Sequence, residues 1–467
     1  MLGSVDKLFQ SHLKINMTSF FDLHGVISKY HHGGRKGHGT VSALSMILDF
    51  LQIQKEEDKV TTTLLTDLSA CYDTIEHKIL LLKMDHYGIR GVPLKIVENI
   101  LSNRSQYVEI DTFSSSLKPS LPCSVCQGSI ISSLLYVTFC NEIPLLGNLI
   151  ENQIYDNITN FRFVSFDRVD FSEVSHLTIS YIDDSTVCIS SKDVIILQKY
   201  LQRFYNLLHY FYICNKLCLN EDKTKLLVTS KNYLQQSSKS IDLNAGIYNI
   251  KQSKKVKILG YWLDTNLNHD SYLNKIISKI NYRLLLLKKV TCFMNSRVKV
   301  LLFKSLLISI LTYVMPLIID LNSKQLNTIN TMVTKIARIC LGFKSYKWNN
   351  TTVLRKCGWL GGTHLIYFST LCFIHKINFD MQPISLVEKF IYRENRGSRY
   401  TRCPFKTKYD PKSKITKEGL FSKGLLLYKK IPDIFKTYNK SKFKKEIKFY
   451  IKENLPPDRI KKHVDYE

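Results

Sequence analysis

The spacing of apolar and polar positions divides the chain into helical, strand-like and irregular stretches. Over the first 30 residues Val5, Leu8, Phe9, Leu13, Phe20, Phe21 and Leu23 recur at helical spacing. A Gly-rich basic loop, His31 to Thr40, leads into a second predicted helix over Val41 to Gln54. Lys59 to Leu68 contains the β-branched run TTTLLTD and reads as a core strand that delivers Asp67 at its C-terminal end. Helices are expected over Cys71 to Tyr87, stopped by Gly88, and over Pro93 to Asn103. Arg104 to Asp111 alternates like a strand, and Pro122 to Ser129 leads into a helix running to Asn141. His176 to Ser191, HLTISYIDDSTVCISS, is two β-rich runs about an acidic centre, which predicts a hairpin with Asp183 and Asp184 at its tip. An amphipathic helix over Val194 to Ile213 should back the sheet, followed by a strand over Lys225 to Thr229 and a strand pair over Val256 to Asp264. Asn268 to Phe343 is helical and basic, and Phe435 to Leu455 reads as a basic amphipathic helix with RNA as a candidate ligand. Leu145 to Ser175 lacks periodicity and reads as a surface insertion without an assignable role.

Composition narrows the class. A chain of 467 residues with 45% hydrophobic and 11% aromatic content can bury two or three domain cores, which excludes wholesale disorder. The 66 Lys and Arg against 39 Asp and Glu leave a net charge of +27, which calls for a polyanionic partner, nucleic acid before membrane. Ser305 to Ile319 is apolar but too short to span a bilayer, so a buried helix is expected there. Twelve scattered cysteines without a signal peptide read as reduced thiols in a cytoplasmic or nuclear protein that is not secreted. Cys123-x-x-Cys126 and Cys214-x-x-x-Cys218 lack a second Cys/His pair at finger spacing, so neither is expected to bind zinc.

The acidic hairpin carries the candidate chemistry. A turn is the ordinary reading of Asp183-Asp184, since Asp bonds its own backbone in turns. Adjacent carboxylates repel each other, however, and a divalent cation neutralises them. Asp67 on a neighbouring strand supplies a third carboxylate and tips the balance to a metal site, with the three carboxyl groups expected to converge on one point. Arg35, in its Gly-rich loop, offers a planar fork for a triphosphate, although a solvated basic turn would look the same.

Leu64 to Asp73 (LLTDLSACYD), Gln127-Gly128-Ser129 and Tyr181 to Asp184 (YIDD) occur in the order used by reverse transcriptases. The flanks, Arg35 to Thr40 (RKGHGT) and Asn220 to Thr224 (NEDKT), resemble those of non-LTR retrotransposons, the jockey-like group in particular. The resemblance covers residues 1 to about 345 well and the tail more loosely. It implies an α+β right-hand polymerase: partial fingers and an antiparallel-sheet palm over 1–265, a helical thumb over 266–345 and a basic, helical C-terminal extension over 346–467. It implies RNA-directed DNA synthesis with an RNA template, a DNA primer and dNTPs as partners. Two Mg²⁺, with Mn²⁺ as a substitute, would be held by Asp67, Asp183 and Asp184. Lys223 matches the lysine proposed to protonate pyrophosphate, and Arg35, Tyr72, Gln127 and Gly128 match nucleotide contacts. The Tyr72 ring would exclude a ribose 2′-OH.

The sequence also departs from the pattern. Gly34 stands where relatives usually have Phe, Cys71 where they have Ala, and Cys126 and Ser133 where they have Pro. The last two are expected to loosen the Gln127-Gly128 loop. On this resemblance the chain is expected to begin within the fingers with no endonuclease before it, and the tail shows no Cys/His spacing of a knuckle. The missing upstream fingers, Gly34, Cys126 and Ser133 favour an alternative function, a decayed copy that only binds nucleic acid, and the intact trio of Asp67, Asp183 and Asp184 argues against it.

Overall fold

The computed structural model describes residues 3–102, 104–116, 118–119, 122–151, 170–231, 241–245, 248–392, 405–407 and 419–454. The chain forms two compact units, one of residues 1–39 and 58–254, the other of 40–57 and 255–467. In chain order the first elements are α1 (Ser4–His24), α2 (Thr40–Glu56), β1 (Val60–Thr66), α3 (His77–His86), α4 (Val92–Ser102), α5 (Ser132–Phe139) and α6 (Leu146–Glu151). Then come β2 (Ser175–Tyr181), β3 (Asp184–Ser191), α7 (Val194–Cys214), β4 (Lys225–Thr229) and β5 (Gln252–Ser253). All of these except α2 belong to the first unit.

The first unit is built on a five-stranded sheet in the order β5-β4-β1-β3-β2. Its neighbours are antiparallel except for the short parallel pair of β4 and β5. Central β1 is buried along nearly its whole length despite four threonines. The β-branched side chains suit a strand, and their hydroxyls find partners. Thr61 Oγ1 donates to Ser190 Oγ at 3.0 Å, and the Thr66 hydroxyl lies 3.4 Å from that of Tyr212. Behind the sheet α7 buries Leu197, Leu201, Phe204 and Leu208 at helical spacing. Each such side chain contributes about 1.5–3 kcal/mol of burial. Asp193 starts that helix by accepting from the backbone N–H groups of Ile195 and Ile196.

Two expectations for this unit need correction. The helix expected from Cys71 begins only at His77, because Ala70 adopts a positive φ of 49°. The amides of Asp73 and Thr74 both return to the Ala70 carbonyl and wind the chain into turns. The stretch 145–175 is not simply surface. Leu146, Ile150, Phe171 and Val174 are buried in the core, while residues 152–169 lie outside the described residues.

The second unit holds α2, a hairpin of β6 (Lys255–Ile258) and β7 (Tyr261–Asp264), and a set of helices. These are α8 (Asp270–Val290), α9 (Ser296–Phe303), α10 (Ser309–Thr312), α11 (Ser323–Leu341), α12 (Asn350–Cys357), α13 (Gly362–Asp380), α14 (Leu420–Lys430) and α15 (Lys440–Asn454). The single helix expected over Ser305 to Ile319 is broken, although it is largely buried: a π-helical turn over Lys304–Ile308, then α10, then a 3₁₀ turn over Met315–Ile318. Pro316, which has no N–H to give, accounts for the last break. Asn322 and Gln325 cap α11 reciprocally. The tail helix starts at Lys440, later than expected, and buries Phe443, Ile447 and Ile451, with the Phe443 ring stacked 3.7 Å from that of His375 on α13. Among the described residues all eleven cysteines are free thiols. By length and composition Ser132–Ile150 could cross a membrane, but 72% of it is buried inside the protein.

Candidate active site

Strand register brings the acidic residues together. The β1–β3 pairing runs from Val60↔Ser191 to Thr66↔Ser185, so Asp67 follows the last residue of one strand and Asp184 precedes its last partner on the other. Opposed residues on antiparallel strands have Cα atoms about 4.5–5.5 Å apart. The β2–β3 pairing ends at Tyr181↔Asp184 and leaves Ile182 and Asp183 as a two-residue loop. Ile182 takes a φ of 59°, a conformation that a β-branched residue rarely adopts and that costs of order 1–3 kcal/mol. The hairpin tip is therefore strained, and something must hold it.

The segment His31–Gly33 does so. His31 makes a parallel bridge with Ser180, the His32 N–H donates to the Ser180 carbonyl at 2.8 Å, and the Ser180 N–H donates to the Tyr30 carbonyl at 3.1 Å. Gly33 then lies directly on the tip: a Cβ there would stand 2.4 Å from the Ile182 nitrogen and 2.9 Å from the Tyr181 carbonyl carbon. Only glycine fits. Neighbouring His31 is fully buried and its pKa falls to about 3, chiefly through burial, so it is neutral at physiological pH.

Each carboxylate has its own partner. Asp67 Oδ2 is buried and has no well-aligned hydrogen bond, but the Lys223 ammonium stands 3.1 Å from it. A stitched turn presents that lysine: Asn220 N–H donates to the Asp67 carbonyl at 2.9 Å, and Asn220 Oδ1 accepts from Lys223 N–H at 3.2 Å. Asp183 Oδ2 accepts from the Cys71 thiol at 3.6 Å. Burial, then the Asp183 charge, push that thiol up to about 12, so it remains a donor at neutral pH. Half-buried Tyr72 belongs to the same neighbourhood: burial raises its pKa first, then the charges of Cys71 and Asp183, and its ring lies 5.2 Å from that of Tyr136.

The three carboxyl groups do not converge as expected. Among the described residues no group of three or more His, Cys, Asp or Glu side chains is gathered closely enough to hold a metal ion. Asp67 faces Lys223 and Asp183 faces Cys71, which relieves carboxylate repulsion pair by pair. The backbone still suits a hard cation. A buried Asp67 carboxylate oxygen without an aligned hydrogen bond follows the strand end that pairs with Ser185, next to exposed Asp184, and oxygen donors are the ligands Mg²⁺ takes.

Other expected contacts divide. Gln127 and Gly128 are exposed, and Gly128 has a φ of 84°, which its turn requires. Their loop is tied to Tyr72, whose carbonyl accepts from Val125 N–H at 2.8 Å. It is also not loose. Ser132 Oγ donates to the Cys126 carbonyl at 2.6 Å, and buried Gln10 accepts from Ser129 Oγ at 2.6 Å and Ile130 N–H at 3.2 Å. Arg35 is engaged elsewhere. Its guanidinium donates to the Ser28 carbonyl at 2.8 Å and faces Asp22 at 3.6 Å, with 14% of the side chain exposed. In this arrangement it organises its own loop. Gly33 and Gln10 escaped the sequence reading, although a polar residue among the apolar positions of the first helix was a usable signal for Gln10.

A family profile described as reverse transcriptase (RNA-dependent DNA polymerase) matches residues 3–263, more than half of the chain. The chain belongs to the reverse transcriptase family. The matched range contains every candidate residue, from Arg35 to Lys223. The chain is 23% identical over 276 residues to the RNA-directed DNA polymerase from mobile element jockey of Drosophila melanogaster, across 59% of this chain and 27% of that protein. It is 22% identical over 144 residues to the probable RNA-directed DNA polymerase from transposon X-element of the same species, across 31% of this chain and 16% of that protein. The matched stretches thus span about a quarter and a sixth of those relatives. A solved structure of telomerase from Candida albicans, in complex with a TWJ fragment of telomeric RNA, aligns at a TM-score of 0.38 and 10% identity, over 82% of this chain and 56% of that one. Members of the reverse transcriptase family generally use divalent metal ions.

Proposed function

We propose that this protein is the polymerase of a jockey-like non-LTR retrotransposon, joining dNTPs to a primer 3′-OH on an RNA template. The observation that carries this reading is the register that ends at Thr66↔Ser185, next to Asp67 on one strand and Asp184 on the other, in a reverse transcriptase chain. Asp67, Asp183 and Asp184 would hold two Mg²⁺, or Mn²⁺ in their place, after the exposed Asp184 carboxylate turns toward Asp67. Bound there, such ions lower the pKa of the attacking hydroxyl and neutralise the triphosphate.

The remaining chemistry belongs to the chain. Lys223 leaves Asp67 for the leaving pyrophosphate and gives it a proton from Nζ. Tyr72 presents its ring to the sugar and excludes a 2′-OH, while Gln127 and the Gly128 backbone lie along the nucleotide and template. The functional division is a palm with partial fingers over 1–265, a thumb over 266–345 and a basic extension over 346–467. The expected compartments are cytoplasm and nucleus. Extension of oligo(dT) on poly(rA) tests the proposal. Incorporation of dTTP that requires Mg²⁺ or Mn²⁺ and disappears in Asp184→Asn is expected. A folded wild-type chain that binds the hybrid but extends it with neither ion would overturn it.

A further inference from the structure

The second unit contains a pocket of about 250 Å³, a little under the roughly 300–1,000 Å³ usual for small-molecule sites. Its apolar wall is made by Tyr313, Pro316, Phe373 and Phe443. Its rim carries Lys376 from α13 and Lys440 and Lys444 from α15. The nearby carboxylate, Asp380, is taken by Lys440 at 2.8 Å, so positive charge remains in excess. Along α15 the lysines continue at 444, 448 and 452, each one position past the buried row of Phe443, Ile447 and Ile451. Four residues of helix rise about 6 Å, so the ammonium groups form an evenly stepped row. Lys304, which opens the π-helical turn, joins the row beside Lys448. Burial lowers the pKa of Lys376 and Lys448; neighbouring lysines lower both further, while Asp380 opposes the shift at Lys376.

A row of like charges beside an aromatic pocket destabilises the folded chain unless a polyanion lies along it. We propose that this row and pocket form a binding track for a single nucleic-acid strand, with one base in the pocket and successive phosphates on Lys444, Lys448 and Lys452. Single strands suit the arrangement because only an unstacked base can enter a pocket while its backbone follows a basic groove. The site is separate from the carboxylates at the hairpin and goes beyond the polymerase reading.

The test uses the full chain and labelled, unstructured oligo(rU) and oligo(dT) of about twelve nucleotides, within the site sizes such grooves occupy. Lys444→Gln with Lys448→Gln removes two phosphate contacts. The slope of log affinity against log salt should become shallower by about 1.4, at about 0.7 per contact on single strands. Ser369→Phe fills the pocket and should weaken binding about fivefold or more while leaving the slope unchanged. 4-Thiouridine in the RNA should cross-link to peptides containing Phe373 or Tyr313. An effect on both oligonucleotides marks a general single-strand track, and an effect on one names its ligand. An unchanged slope in the folded double variant would overturn the proposal. So would loss of binding to phosphatidylserine vesicles with nucleic-acid binding unmoved. Primer extension on a preformed duplex separates the two readings. Extension with an unchanged slope removes the track alone, and no extension with a shallower slope removes the polymerase alone.

Discussion

The hairpin of the first unit and the lysine row of the second handle concentrated charge in opposite ways. At the hairpin, Asp67 and Asp184 stand at the ends of paired strands of a buried sheet and Asp183 in the turn between two of them, its tip strained at Ile182 and held by Gly33. Along α15, lysines stand on one helix with long side chains that reach past the apolar row beneath them. Rigid sheet suits chemistry, where an error of about 1 Å costs roughly 10²-fold in rate. Flexible stems on a helix suit a ligand recognised by its phosphates, whose affinity is a sum over contacts.

The sharpest way to break this contrast is Asp184→Asn, which keeps shape and removes one charge. Extension should fall by roughly 10²–10³-fold, since electrostatic groups at such centres are worth about that much each. Filter binding of an RNA–DNA duplex should stay within about twofold, because phosphate contacts dominate it. Loss of both activities together would show that the aspartate serves folding instead.

Next in size is Gly33→Ala. Its Cβ would press on the Ile182 and Tyr181 backbone, which has no flexible end to give way. Extension should drop about 10²-fold, with a stability loss of about 1–3 kcal/mol measured by urea unfolding. Full activity in the variant would mean that the tip tolerates displacement and that rigidity is not its property. Tyr72→Ala should act less on rate than on choice. Incorporation of ribonucleotides relative to dNTPs should rise roughly tenfold, about 1.4 kcal/mol of discrimination. Unchanged selectivity would make the ring a packing residue against Tyr136.

The smallest effect concerns alkaline pH. Burial raises the thiols of Cys140 and Cys188 from 9.0 to about 12, so the folded state keeps protons that the unfolded chain releases. Their contribution is complete below pH 9 and is lost as pH rises from about 9 to about 12. The urea midpoint should fall across that window, and Cys188→Ala should flatten the decline. An identical slope in that variant would assign the loss to other groups.

Much of the site was legible in the sequence because its signals are local. A β-branched run ending in Asp67, and two runs about Asp183-Asp184, define strands and tip without knowledge of partners. Motif order singled out Lys223, though not its ion pair with Asp67. What escaped was set by distant contacts. Gly33 looks like one of two adjacent loop glycines until the hairpin from residue 181 arrives over it. Arg35 looked like a phosphate fork until Asp22 and the Ser28 carbonyl were found around it. The loop expected to be slack after Cys126 is secured by Gln10, some 120 residues earlier. The three carboxylates were expected to share a point, and among the described residues they are not gathered as a metal-holding group, Asp67 facing Lys223 and Asp183 facing Cys71. Periodicity cannot report such partners.

Central β1 has a consequence for the making of the protein. It ends at Thr66, yet its two neighbours are completed only at Ser191 and Thr229. At about 5–20 residues per second of synthesis, the roughly 160 residues between Thr66 and Thr229 take about 8–30 seconds to emerge. Until Ser191 emerges an otherwise central strand has both edges bare, and one edge stays bare until Thr229, and such edges invite pairing with other chains. Its four hydroxyl-bearing residues, Thr61, Thr62, Thr63 and Thr66, make it more water-tolerant than an all-aliphatic strand would be. For threonines that bond inside the finished sheet, the expected outcome is that valine replacements increase the yield of insoluble protein more than they change the stability of the folded one.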